Sequence, residues 1–68
     1  MQTATIDREM LSEAAVVRRR ASDLRTEAFQ LDEVIATTYR RRAAELELEA
    51  WVKEIQSGLP YDEITTAA

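Results

Sequence analysis

Between Thr5 and Ser57 the chain contains no glycine and no proline, and asparagine is absent throughout. The residues that usually end helices and build tight turns are therefore missing from more than fifty consecutive positions. Through the same region runs an apolar stripe: Ile6, Met10, Ala14, Val17, Ala21, Leu24, Ala28, Leu31, Ile35, Tyr39, Ala43, Leu46 and Ala50. Every step is three or four residues, which is the spacing of one helix face.

These two features predict an all-α chain with a single helical domain over residues 1–68. Its main element is one long amphipathic helix over residues 5–57, associating as a coiled-coil-like bundle. Thr5 is the expected N-cap, with Asp7 and Glu9 placing negative charge in the first turn. Lys53 in the last turn, Gly58 beyond it and Pro60 after that mark the end. A Gly-Pro turn at 58–60 should lead into a short helical tail over residues 60–66, with Leu59 and Ile64 folding back near Ile55.

Two details favour a different chain path. After Leu31 the stripe steps by four three times in succession, a stutter that locally unwinds any supercoil. It coincides with the β-branched cluster Val34, Ile35, Thr37 and Thr38, which has reduced helix propensity. The alternative architecture is thus a two-helix hairpin turning near 36–38 and pairing residues 6–31 with 39–55. A twenty-two-residue repeat overlies both options: Ala14, Arg18, Arg19, Arg20, Ala21, Leu24, Glu27 and Ala28 recur as Ala36, Arg40, Arg41, Arg42, Ala43, Leu46, Glu49 and Ala50.

Composition narrows the chemistry. Without cysteine or histidine, disulfide scaffolds, Cys/His zinc sites and thiol or imidazole catalysis are excluded. Carboxylate pairs such as Glu9 with Glu13 and Glu45 with Glu49 have helical spacing but lack the Glu-x-x-His partners of bundle metal sites. No cleft is expected from one chain to raise a carboxylate pKa. We therefore expect no enzyme activity, no metal and no cofactor. No apolar run is long enough to span a membrane, and Met1 to Ile6 lacks the features of a leader. The expected location is the cytoplasm or an assembly formed there, such as a phage particle.

What remains is association. A chain this short, with no disulfide or metal to staple it, has to find stability in a partner. The expected protein interface comprises Met10, Val17, Leu24, Leu31, Ile35, Tyr39, Leu46, Trp51 and Ile55. The expected function is a non-enzymatic interaction or assembly protein, either a small structural subunit or a docking regulator. Its stripe would be buried against copies of itself or against a larger protein complex. The competing expectation is a nucleic-acid-associated helical protein that contacts phosphates through Arg18, Arg19, Arg20, Arg40, Arg41 and Arg42. On one continuous helix the two triplets would lie about 33 Å apart, close to one turn of duplex. Against it stand the net charge of −4 and the acids Glu27, Asp32 and Glu33 between the triplets.

Phe29-Gln30-Leu31-Asp32 followed by Ile35 resembles the Ser-Gln-Glu-Leu-Asp signature of small helical-hairpin phosphatases. The Ser and Glu of that signature are absent, and no function is carried over.

Overall fold

The computed structural model describes residues 5–64 and consists of two antiparallel helices, α1 (Arg8–Ala28) and α2 (Glu33–Gln56), followed by a 3-10 turn, Tyr61–Glu63. The long helix expected over 5–57 is thus corrected to a hairpin. The alternative had the right architecture but placed the turn a few residues late. The last residues of the expected tail, Thr65 and Thr66, lie outside the described residues.

The break needs neither glycine nor proline. At the end of α1 the amides of Phe29, Gln30 and Leu31 donate to the carbonyls of Thr26, Glu27 and Ala28 at 3.0–3.2 Å. These tightened i to i−3 bonds satisfy carbonyls that a terminating helix leaves unpaired. Asp32 then adopts an extended conformation, and its Oδ1 accepts from the Ile35 amide at 3.3 Å. It is the N-cap of α2, with Glu33 adding charge to the positive end of the helix. The β-branched cluster therefore does not form the turn. It occupies the first turns of α2, where the Thr37 and Thr38 hydroxyls donate to the carbonyls of Glu33 and Val34. At the other end the N-cap is Asp7, accepting from the Met10 amide at 3.0 Å, in place of the expected Thr5.

The open end of the hairpin is tied. The Asp7 amide donates to the Ser57 carbonyl at 2.8 Å, and the buried Ser57 hydroxyl donates to the Glu54 carbonyl at 2.6 Å. Gly58 follows with φ +88°, the left-handed conformation expected of it. A Cβ there would also lie 3.3 Å from the Thr5 carbonyl oxygen, so this position is restricted twice over.

Small residues line the seam. Ala14, Ala21 and Ala28 of α1 and Ala36, Ala43 and Ala50 of α2 are all buried, each set spaced by seven. Ala21, Ala43 and Leu46 form the central cluster, with Val17 and Leu24 packed against it. Alanine at every seventh position lets the helix backbones approach closely and leaves no side-chain entropy to lose. Antiparallel packing places Ala14, Ala21 and Ala28 level with Ala50, Ala43 and Ala36. The twenty-two-residue repeat thereby gains a geometric meaning: its two copies form the two arms, related by an approximate two-fold passing between Ala21 and Ala43.

Candidate interaction surfaces

The register is fixed on one flank by a repeated ion pair. Arg18 holds Glu54 through Nε and Nη2, both at 2.9 Å, and Arg25 holds Glu47 in the same two-point manner at 2.8 Å. Arg18 and Arg25 each stand four residues after a seam alanine of α1, while Glu47 and Glu54 stand four residues after seam alanines of α2. Moving seven residues along α1 moves the partner seven residues back along α2, as antiparallel packing requires. Two-point binding between the planar guanidinium and a carboxylate adds direction to the attraction. It pushes both guanidinium pKa values up, and the Arg25 bond, with the charges of Arg25 and Arg18 behind it, holds the Glu47 carboxyl below its ordinary value despite partial burial.

The opposite flank is built differently. Here the relevant positions immediately precede the seam alanines: Glu13 and Glu49 near the open end, Arg20 and Arg42 at the middle, and Glu27 and Ile35 near the turn. Like charges therefore share a level. Arg20 and Arg42 border one groove of about 360 Å³ with Val16, Val17, Leu24 and Leu46. Arg42 reaches along its own helix to Glu45 at 3.0 Å, and Lys53 meets Glu13 at 3.2 Å. No ion pair crosses the seam between positions 20 and 42.

The residues expected at an interface fall into three groups. Leu46 is buried in the seam, and Met10, Val17, Leu24, Leu31, Tyr39 and Trp51 are partly buried. Ile35 and Ile55 are exposed. Several of the most exposed apolar side chains lay outside the expected interface. Phe29, at the hairpin tip, is 90% exposed and stands with Val34 and Ile35. Val16 is 69% exposed beside the groove, and Leu48 and Val52 extend an outward stripe on α2 to Ile55. The helical spacing of 48, 52 and 55 was readable, but a single-helix path gave no reason to separate a seam face from an outer face.

The arginine triplets come together where the long helix had kept them apart, which removes the 33 Å separation on which duplex contact rested. Arg18, Arg40 and Arg42 are engaged by Glu54, Glu33 and Glu45 respectively. Arg19 and Arg41 are exposed on the outer faces. Among the described residues no group of three or more acidic side chains is arranged to hold a metal, and no helix is long and apolar enough to cross a membrane.

No family model, curated protein or solved structure matches this chain.

Proposed function

We propose that the chain is a non-enzymatic assembly element, a helical hairpin completed by association with protein. One observation carries this reading: the distribution of apolar size is inverted. Six of the eight buried apolar residues among those described are alanines, while Val16, Phe29, Val34, Ile35, Leu48, Val52, Ile55 and Tyr61 are exposed. Full burial of a Val, Leu, Ile or Phe side chain is worth about 1.5–3 kcal/mol, and for the seven exposed side chains of these types that capacity is largely unused within one chain. Two helices with an alanine seam make a thin layer, and an apolar stripe exposed outside such a layer, here Leu48, Val52 and Ile55, is characteristic of a contact site.

Affinity capture from the native source with crosslinking tests the reading, using the parent chain and a Leu48→Asp/Ile55→Asp variant of equal helicity. A defined protein partner or self-complex that depends on these residues is the expected result. A chain that neither self-associates nor retains any protein through them overturns it.

A second reading is favoured by one feature, the convergence of the two arginine triplets at mid-hairpin. If they bind phosphates, affinity for duplex DNA should fall with salt at a log–log slope of about −0.9 per contact. Arg40→Ala/Arg41→Ala/Arg42→Ala should then abolish binding. Given the carboxylates already engaging three of the six arginines, we expect no saturable binding near physiological salt.

A further inference from the structure

We propose that the occupant of the groove between Arg20 and Arg42 is a second copy of this chain. The two hairpins would pack face to face about a two-fold axis that crosses both helices level with Val17 and Leu46. The inference rests on the reading of the chain as an assembly element and names one partner and one face for it.

The argument begins with the internal repeat. An approximate two-fold relating the two arms pairs each residue at the middle of the seam with its own counterpart, so identical charges meet unless the sequence departs from the repeat. On the ion-paired flank it does depart: Arg25 corresponds to Glu47, and the two meet as a two-point pair. On the groove flank it does not. Arg20 corresponds to Arg42, and both border the same groove. Arg42 turns to Glu45 on its own helix, so the attraction that the other flank finds across the seam is not made at this level.

Charge order along this flank specifies what would supply it. Glu13 and Glu49 form an acidic level, and Arg20 and Arg42 form a basic level seven residues away, about 10.5 Å along the helices. A flank that carries both signs on successive levels is complementary to itself when reversed end for end. With the helices of the two hairpins aligned, a face-to-face two-fold has two orientations. An axis running along the helices would set Arg20 against Arg42 of the second copy and Glu13 against its Glu49. An axis running across the helices, midway between the two levels, sets Arg20 against Glu13 and Arg42 against Glu49, on both sides of the dyad. Only the second arrangement satisfies all four positions.

The apolar residues agree with that centre. Val17 and Leu46 lie at the level of the axis, and the exposed Val16 borders the same groove. The dyad would bring the two grooves together and cover the side chains that a single hairpin leaves in water. Lys53, already beside Glu13, would then lie next to an incoming arginine and share the same carboxylate. Glu9 and Asp23 would face one another at the rim, and Glu45, beside Arg42 at the level of the axis, would approach its own copy, mismatches that keep the expected dimer moderate in affinity.

The full-length chain tests this by sedimentation equilibrium across a wide concentration range, with circular dichroism on every sample. The parent is expected to reach about 15.6 kDa, twice the 7.8 kDa chain mass. Arg20→Glu/Arg42→Glu makes both levels acidic, and Glu13→Arg/Glu49→Arg makes both basic. Each variant alone should be a helical monomer, with self-affinity reduced by about tenfold or more. An equimolar mixture of the two should recover the dimer as a heterodimer. Val16→Asp, at a site already exposed in the hairpin, should weaken the dimer without loss of helicity. A monomeric parent, or charge-inverted variants that fail to recombine, overturns the inference. A parent dimer insensitive to all these changes overturns it too. The assembly reading fails separately, through Leu48→Asp/Ile55→Asp, at positions on the outer face of α2 away from this flank.

Discussion

The two flanks of the hairpin share one seam, one seven-residue spacing and one internal repeat, yet they are finished in opposite ways. The flank bearing Arg18 and Arg25 is closed by Glu54 and Glu47 through two-point bonds, with Glu54 buried. The flank bearing Arg20 and Arg42 is bridged near the open end by Lys53 and Glu13, and at its middle it places like charges around an open groove. The comparison separates two uses of charge on one scaffold. Opposite charges across a seam fix which residues lie beside which and so select the register. Like charges across a seam contribute nothing to the register and leave the surface free for another molecule.

Breaking the closed flank should have the largest effect. Glu54→Ala removes both charge-assisted hydrogen bonds that join Arg18 to α2 and should cost about 1.5–3 kcal/mol, a large share of the stability of a hairpin of this size. Thermal and urea denaturation at fixed protein concentration would measure it. The same comparison can be attacked from the seam: Ala21→Leu or Ala43→Leu, at fully buried sites, should force the helices apart at about 1–3 kcal/mol and disturb both flanks together.

Acid should act on the closed flank selectively. Because the folded-state pKa of Glu47 is lowered, its contribution is complete above its unfolded value, in the ordinary carboxylate range near 4.5. It is lost as pH falls from there through the folded value. Stability measured between neutral pH and about pH 3 should decline on acidification, and Glu47→Gln should flatten that decline while lowering stability at neutral pH.

Gly58→Ala tests the tie at the open end. The positive φ and the nearby Thr5 carbonyl should make it cost about 1–2 kcal/mol, and exchange protection of the Asp7 amide should fall with it. The smallest effect sharpens the contrast most. Arg20→Gln on the open flank should change hairpin stability by no more than about 0.5 kcal/mol, measured at concentrations too low for association. A large loss there would erase the distinction between the flanks.

The residues behind these outcomes were unequally visible beforehand. The stop at Gly58 and Pro60 was legible because backbone conformation at a helix end is a local matter, and Gly58 takes the positive φ its position implied. The break after Ala28 is hidden in the sequence because it uses neither glycine, proline nor asparagine. It depends on Asp32 acting as an N-cap, and an aspartate on a polar helix surface looks the same in sequence until the chain turns. The β-branched residues Val34, Ile35, Thr37 and Thr38 point to a turn by intrinsic preference, but packing of Ala36 and Tyr39 overrides that preference and keeps them helical.

Helical content, the heptad alanines and the twenty-two-residue repeat all follow from the order of residues, because each reflects spacing along one chain. Which arginine meets which glutamate does not. Arg18, Arg19 and Arg20 are identical and adjacent, and seen along the chain they are interchangeable. Once α2 folds back against the alanine seam, the 100° step between neighbouring helix positions sends Arg18 to Glu54, Arg19 outward and Arg20 to the groove beside Arg42. Their separate environments arise from that antiparallel packing, which brings together charges thirty-six positions apart.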